Sequence, residues 1–129
     1  MSFVTGLECH LCGKRYPAEA SWVCSECLGP LKVTYDYAAM KGVVTRALIE
    51  SRPHSLWRYQ ELLPVETPRT GFNSGFTPLV RATRLAERLG LNELYLKDDS
   101  DNHPTLSYKD RVVSVAATRA LEQIGRAHV

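Results

Sequence analysis

The sequence lacks both a long apolar run and a segment of concentrated positive charge. No stretch approaches the roughly 20 apolar residues of a membrane-spanning helix, and the N-terminus MSFVTGLECH has no basic region followed by an apolar one. The net charge is +2, without a basic run or aromatic residues interleaved with arginines, which argues against a nucleic-acid surface. We therefore predict a soluble, cytoplasmic protein that binds neither membranes nor nucleic acid.

The chain falls into two parts of different composition. Its 129 residues, 44% apolar and 23% charged, have the composition of a globular protein. Residues 1–33 hold all four cysteines and several turn residues, whereas residues 34–129 have the alternating patterns of helices, short strands and loops. We predict a small cysteine module at 1–33 and an α/β domain at 34–129.

The four cysteines form two closely spaced pairs. The sequence CHLCG begins at residue 9 and CSECLG begins at residue 24, so the spacing is C-x2-C-x11-C-x2-C. This spacing is typical of zinc ribbons, in which four thiolates surround a tetrahedral ion and leave no position for water. We therefore predict a structural zinc ion rather than a catalytic one. The predicted ligands are Cys9, Cys12, Cys24 and Cys27.

Other features of the cysteine module support this prediction. Gly13 and Gly29 follow the two pairs and can take the left-handed backbone conformation that such turns need. We expect Tyr16, Trp22 and Val23 to supply the apolar cover of the site. Two disulfides are the alternative, but the absence of an export signal favours thiols and metal. Iron in the same tetrathiolate cage stays open.

Apolar spacing and turn residues predict the next elements. A helix is expected from YDYAAMKGVVTRALIESR, ending at Pro53. The sequence VETPRTGFNSGFTPLV predicts a long loop, and a second helix is expected to begin at Thr77-Pro78 and to end at Gly90. The segment NELYLKDDS predicts a short strand.

The last predicted helix begins close to Lys109. Its apolar residues recur at intervals of three and four: Val113, Ala116, Ala117, Ala120, Leu121 and Ile124. Ser107 is placed to cap this helix, with Asp110 as the capping-box acid. Lys109 then lies in the first turn, on the carboxyl side of a strand, where open α/β sheets bind ligands. If it is also desolvated, it becomes a usable amine nucleophile; a solvent-exposed lysine without special function is the alternative.

The segment LYLKDDSDNHPTLSYKDRVVSVA, with GFTPL upstream, resembles the lysine segment of the fold-type II pyridoxal-phosphate enzymes. The pattern of that family is N-P-T-G-S-F-K-D-R. Within the group, the sequence is similar to the threonine synthases, which often carry a small N-terminal cysteine module and a G-x-T-P-L loop. The resemblance spans nearly the whole chain and implies a zinc ribbon followed by the beginning of a tryptophan synthase β-like domain.

The resemblance assigns roles to individual residues. It implies that Lys109 forms the internal aldimine with pyridoxal phosphate, that Tyr108 lies near the cofactor ring, and that Ser107 belongs to the turn that positions the lysine. Asp110 and Arg111 match the family's Asp-Arg pair and are expected to support the helix start.

Three positions depart from the family pattern. Leu106 replaces the glycine, Tyr108 replaces the phenylalanine, and His103 lies between Asn102 and Pro104, where the family has Asn directly before Pro. The first two departures leave the role of the lysine intact. The third weakens any role carried over to Asn102.

The reaction that the resemblance implies converts O-phospho-L-homoserine and water to L-threonine and phosphate. The substrate amine displaces Lys109, which then moves protons. The implied enzyme is a carbon-oxygen lyase acting on phosphates, with a small-molecule amino acid as its partner and a homodimer as its assembly. Lys97, Arg81 and Arg84 are candidates for contacting the substrate phosphate. The alternatives are another fold-type II lyase, cysteate synthase-like or β-replacing, and a stand-alone metal-binding interaction module.

Several features that the resemblance implies are missing before Val129. Neither a glycine-rich phosphate loop, nor an asparagine for the ring hydroxyl, nor a hydroxyl residue for the ring nitrogen follows Lys109, and Gly71 and Gly75 precede it. We therefore expect an N-terminal fragment that is inactive alone. The final IGRAHV is also what a reading frame ATC-GGA-AGA-GCA-CAC-GTC would encode. That frame resembles a sequencing adapter, and we expect this tail not to be native.

Overall fold

The computed structural model describes residues 2–19, 21–70 and 72–126. Gly71 and the last three residues of the IGRAHV tail lie outside them. The chain divides into two compact units: the first runs to Arg52 and takes in Tyr59–Glu66, and the second contains Pro53–Arg58 and continues from Thr67. Both strands and helices are present, so the predicted mixture of α and β structure is confirmed. The predicted module boundary near residue 33 stays a prediction.

The first unit contains a three-stranded antiparallel sheet with β1 (Val4–Cys9) in the centre. The strands β2 (Arg15–Tyr16) and β3 (Leu31–Tyr35) pair with its two edges. Gly6 is required in β1 because a Cβ atom at that position would lie 2.6 Å from the Tyr16 carbonyl oxygen. The sheet thereby brings both ends of the cysteine segment to one place.

Two short helices replace the single helix predicted after the cysteine module. They are α1 (Tyr37–Met40) and α2 (Arg46–Glu50), so the prediction of one helix is wrong. Gly42 has φ +87° and breaks the helical path. Asp36 and Thr45 each accept a hydrogen bond from the amide three residues on, at 2.8 and 3.2 Å, and so start the two helices separately.

A largely buried ion pair joins the two stretches of the first unit. The Arg52 guanidinium donates two hydrogen bonds to the Glu61 carboxylate, at 2.5 and 2.7 Å. This pairing lowers the pKa of Glu61 to about 2. Glu61 belongs to a 3-10 segment (Leu56–Leu62) that is interrupted at Tyr59. The Tyr35 hydroxyl donates to the last carbonyl of this segment at 2.9 Å.

The second unit combines an antiparallel strand pair with two helices. The strands β4 (Leu79–Arg81) and β5 (Tyr95–Lys97) pair with each other, and α3 (Thr83–Leu89) connects them. Gly90, with φ +67°, ends α3 and confirms the predicted stop. The helix α4 (Lys109–Arg126) is the longest described helix at 18 residues. No helix among the described residues combines the length and the apolar character needed to cross a membrane.

Thr77-Pro78 does not start a helix, which corrects the prediction. These residues lead into β4, and α3 begins only at Thr83. The Thr77 hydroxyl, which was expected to cap helix amides, donates to the Asp99 carboxylate at 2.7 Å. The Pro78 carbonyl accepts from the amide of Asp98 at 2.9 Å, which extends the β4–β5 pairing.

The face of α4 that packs inside the second unit is polar. Asp110, Ser114, Thr118 and Glu122 recur every four residues and are at most 7% exposed. The preceding loop lies along this stripe: the Thr67 amide donates to Glu122 at 3.2 Å, and Ser74 and Ser114 share a hydrogen bond of 3.1 Å. Backbone amides that are buried from water need hydrogen-bond acceptors, and the polar side chains of this stripe supply them.

The predicted apolar face of α4 is exposed. Val113, Leu121 and Ile124 retain 52%, 46% and 59% of their accessible surface. The spacing therefore predicted the helix correctly, and among the described residues its apolar face is exposed to solvent. Periodicity identifies which residues share a face, but it does not identify the face that finds a packing partner.

Candidate functional site

The four cysteine sulfur atoms form a compact cluster in the first unit. All four lie within 4.8 Å of one another; the Cys9 and Cys27 sulfurs are 3.4 Å apart, and those of Cys12 and Cys24 are 3.5 Å apart. A tetrahedral zinc with bonds of about 2.3 Å separates its sulfurs by roughly 3.8 Å, which these distances fit. They are far longer than a disulfide bond of about 2.05 Å. The thiols are free, and the predicted ligands can hold one metal ion.

The two cysteine turns have the same backbone hydrogen bond. The Gly13 amide donates to the Cys9 carbonyl at 3.1 Å, and the Leu28 amide donates to the Cys24 carbonyl at 3.0 Å. Gly13 takes the predicted left-handed conformation, with φ +73°, but in the second turn Leu28, with φ +58°, takes it in place of Gly29. Gly29 is needed for another reason, because a Cβ atom there would lie 3.0 Å from the Cys9 sulfur.

Tyr16 is the aromatic residue that reaches the cysteine cluster. Its hydroxyl lies 3.0 Å from the Cys24 sulfur, and the Ser25 amide donates to the same hydroxyl at 3.0 Å. The Tyr16 hydrogen bond is the main cause that lowers the pKa of Cys24 to about 6, which favours the thiolate that binds metal. Trp22 and Val23 are 86% and 48% exposed, so their predicted role as apolar cover is wrong.

The turn before α4 presents Lys109 at the first position of the helix. The Ser107 hydroxyl accepts from the Lys109 amide at 3.3 Å, and the Ser107 carbonyl accepts from the Asp110 amide at 3.1 Å. The Lys109 side chain is exposed, as is that of Tyr108 at 62%. The lysine is therefore accessible to a ligand from solvent and does not have the buried environment considered from the sequence.

Asp110 holds the lysine turn from within the helix. Its carboxylate accepts from the Thr105 amide at 2.9 Å and from the Thr105 hydroxyl at 2.7 Å. These bonds lower the pKa of Asp110, with the Thr105 hydroxyl as the largest cause. Leu106, which follows Thr105 in this turn, takes a left-handed backbone conformation with φ +60°. The family glycine that Leu106 replaces is suited to this conformation.

Asn102 lies at the centre of this turn and was missed by the sequence reasoning. It is fully buried, its side-chain oxygen accepts from the Gly75 amide at 2.7 Å, and its side-chain nitrogen donates to the Ser107 carbonyl at 2.5 Å. The signal was present, since the family pattern places an asparagine at this end of the motif. The additional residue His103 obscured it.

A charged network surrounds Thr77 beside the lysine turn. The Arg111 guanidinium donates to both oxygens of Asp99, at 2.7 and 2.8 Å, and is the main cause that lowers the pKa of Asp99 to about 2. Lys97 donates to the Thr77 hydroxyl at 2.8 Å and also contacts its carbonyl. Arg111 thus supports the helix start, as predicted from its place in the motif.

Two of the three basic residues considered for a substrate phosphate have other partners. The Lys97 ammonium is engaged with Thr77. Arg81 pairs with Glu93 at 3.3 Å, with both side chains more than half exposed. Arg84 is exposed on α3. Among the described residues Lys97 and Arg81 have the partners named above, and a phosphate role for all three stays a prediction.

Comparison with known proteins identifies the relatives of this chain. Residues 72–129 match the family model described as pyridoxal-phosphate dependent enzyme. The chain is 41% identical over 117 residues to the threonine synthase of Methanosarcina acetivorans. The aligned region covers 90% of this chain and 28% of that protein. It is 40% identical over 116 residues to the threonine synthase of Methanocaldococcus jannaschii. That alignment covers 88% of this chain and 28% of that protein. No solved structure matches the chain significantly.

These matches show that residues 72–129, which include Lys109, are similar to pyridoxal-phosphate-dependent enzymes. Over about nine tenths of its length, the chain is similar to the matching part of two threonine synthases, at 41% and 40% identity. The resemblance inferred from the lysine segment is therefore confirmed. The chain spans just over a quarter of the length of the two curated relatives, at 28% of each.

Proposed function

We propose that the chain forms the N-terminal part of a pyridoxal-phosphate-dependent threonine synthase. The reaction would convert O-phospho-L-homoserine and water to L-threonine and phosphate. The observation that carries this proposal is the accessible Lys109 at the start of α4, held by the Ser107 turn within the residues that match the family. The 41% and 40% identities to two threonine synthases support the choice of reaction.

The residues of the lysine turn fit the attachment of the cofactor. The Lys109 side chain is exposed at a helix N-terminus, so an aldehyde can reach its amine. Pyridoxal phosphate, when bound, supplies an electron sink for bond changes at the substrate carbons. Lys109 would hold the cofactor covalently before turnover and then carry protons between substrate carbons. Ser107 would fix the direction from which the lysine reaches, and Tyr108 would lie beside the ring.

The cysteine cluster would have a structural role in this enzyme. Four thiolates complete a tetrahedral zinc, so no position remains for water or substrate. A module of this size buries little apolar surface, and metal binding would contribute much of its folding free energy.

The alternative functions are less favoured. A stand-alone metal-binding module does not account for the family match of residues 72–129. Another fold-type II lyase would share the lysine segment, but the two curated relatives named above are threonine synthases. A cytoplasmic location and a homodimer stay predictions.

The role of Lys109 can be tested by borohydride trapping in the full-length protein. We expect a reduced pyridoxyl adduct on Lys109, located by peptide mass spectrometry. Lys109→Ala should abolish this adduct and nearly all turnover while leaving the bound metal unchanged. Lys41→Ala, at an exposed lysine of the first unit, is the matched control and should behave as the unaltered protein. Full turnover by Lys109→Ala would place the active site elsewhere.

The substrate can be tested by offering O-phosphohomoserine and O-phosphoserine side by side. A threonine synthase should release phosphate and form threonine from the first compound only. Product formation from phosphoserine with sulfite or sulfide as the nucleophile would instead support a cysteate synthase-like or another β-replacing enzyme. This result would leave the role of Lys109 intact.

The metal site can be tested by metal analysis of the purified protein. One zinc ion per chain is expected, and Cys24→Ser should remove most of it because three thiolates bind zinc far more weakly than four. Ser21→Ala changes an exposed serine outside the cluster and should keep the ion. Equal zinc content in Cys24→Ser and the unaltered protein would contradict the site, whereas iron would revise only the metal.

A further inference from the structure

Asn102 links the lysine turn to a second loop through both ends of its side-chain amide. It is fully buried between the Gly75 amide, which donates to its oxygen at 2.7 Å, and the Ser107 carbonyl, which accepts from its nitrogen at 2.5 Å. Burying an amide is costly unless its hydrogen bonds are made, so a fully buried asparagine with both ends bonded holds its two partners at a defined separation.

The hydrogen bond from Asn102 to the Ser107 carbonyl helps to fix the backbone conformation directly before Lys109. The Ser107 carbonyl accepts both from Asn102 and from the Asp110 amide at 3.1 Å, which uses its two lone pairs. The Ser107 hydroxyl accepts from the Lys109 amide at 3.3 Å. The peptide groups that lead into Lys109 are therefore fixed from both sides, and the direction of its Cα–Cβ bond follows from them.

The Gly75 end of the link is itself anchored. The Ser74 carbonyl accepts from the Leu56 amide at 2.7 Å. Gly75 has φ +86°, and a Cβ atom there would lie 3.1 Å from the Leu56 nitrogen, so the loop lies directly against the Leu56 backbone. Asn102 thus connects the lysine turn to a part of the second unit that cannot shift easily.

We propose that Asn102 is a positioning residue that holds the Ser107 turn against Gly75 and so aims the Lys109 amine at the cofactor aldehyde. This inference rests on the proposed function, because it assigns Asn102 to the covalent step at Lys109. Asn102 is fully buried and would act on the cofactor only through its neighbours. It acts through the Ser107 carbonyl, and its loss should move the lysine without removing the other contacts of the cofactor.

The substitution Asn102→Asp separates the two ends of the link. A carboxylate keeps an oxygen to accept from Gly75 but presents a second oxygen, not a donor, to the Ser107 carbonyl. Asn92→Asp makes the same chemical change at an exposed asparagine and is the matched control. In the full-length protein loaded with pyridoxal phosphate, two quantities are measured at the same pH: total bound cofactor per folded chain, and the part trapped on Lys109 by borohydride.

We expect the trapped part of the bound cofactor to fall by at least about tenfold in Asn102→Asp, because displacements of about 1 Å at a reacting group have effects of this size. Total bound cofactor per folded chain should stay within about twofold of the control. An unchanged trapped part would overturn the positioning role. A parallel loss of trapped and total cofactor would also overturn it, because a purely structural defect reduces both together.

A second measurement needs no cofactor. Hydrogen exchange at the Gly75 amide should remain slow in Asn102→Asp and become at least about tenfold faster in Asn102→Ala, which lacks the acceptor. Equal exchange in the two variants would overturn the link to Gly75. If the unaltered protein forms no adduct on Lys109, the proposed function fails and the positioning role fails with it. An adduct that is insensitive to Asn102→Asp contradicts the positioning role alone.

Discussion

At the scale of single residues, two leucines occupy backbone positions that usually suit glycine. Leu28 and Leu106 have φ +58° and +60°, where a side chain crowds the following carbonyl. Both side chains are exposed, at 76% and 58%, so burial of apolar surface does not offset this cost. Each leucine lies in a turn beside a candidate functional group, the Cys24 thiol in one case and Lys109 in the other. The hydrogen bonds of these turns hold the strained conformation.

Leu106→Gly should stabilise the protein. Relief of the left-handed strain is worth about 1–2 kcal/mol, and the greater freedom of glycine in the unfolded chain reduces the gain to about 0.5–1 kcal/mol. Urea unfolding measures the difference. Leu121→Gly, at an exposed leucine inside α4, should lose about 1 kcal/mol. A loss of stability in Leu106→Gly would show that the leucine side chain makes a compensating contact.

At the scale of secondary-structure elements, charged pairs hold short segments that have few apolar contacts. The helices α1 and α2 have four and five residues, too short to be stable alone. The pair of Arg52 with Glu61 connects the segment after α2 to the 3-10 segment, with side chains only 19% and 11% exposed. Breaking such a pair leaves one buried charge uncompensated, so the pair should dominate the acid stability of this region.

The stability of the first unit should therefore depend on pH through Glu61. Its folded pKa of about 2 lies below the ordinary value of 4.5, so its contribution is fully present above pH 4.5 and is lost as the pH falls toward 2. The loss should be on the order of 3 kcal/mol.

Glu61→Gln removes the titrating group and should flatten the dependence of unfolding free energy on pH between 4.5 and 2. Glu50→Gln is the control, since the side chain of Glu50 is 61% exposed in its pair with Arg46. Chemical denaturation at a series of pH values measures both. An unchanged pH dependence in Glu61→Gln would show that other carboxylates govern acid unfolding.

At the scale of the whole molecule, α4 presents an apolar surface to solvent. Val112, Val113, Leu121 and Ile124 are between 46% and 68% exposed on this helix. Contiguous exposed apolar patches mark interaction surfaces or cause association. With a net charge of only +2, electrostatic repulsion between chains is weak.

The 129-residue chain should therefore self-associate at micromolar concentration. Sedimentation should give a concentration-dependent mass, and the combined change Val113→Glu and Leu121→Glu should shift the distribution toward monomer, because it places charge in the patch. Val43→Glu, an exposed valine in the first unit, should leave the association unchanged. A monomer at all concentrations would show that the α4 surface does not drive association.

Local chemistry in the sequence determined the features that depend on a few neighbouring residues. The spacing of four cysteines predicted the sulfur cluster, the glycine at position 90 predicted the end of α3, and the motif around Lys109 predicted the family and the start of α4. These features are set by backbone geometry and capping, which act over a few residues.

Only the tertiary structure decided which groups become partners across the chain. Thr77 bonded to Asp99 instead of capping a helix, and loop amides reached the polar stripe of α4. The Asn102 side chain accepts a hydrogen bond from the amide of Gly75, which is 27 residues away in the sequence. Every buried amide and carbonyl must find a partner, and a distant acceptor often satisfies it better than the local one that a sequence pattern suggests.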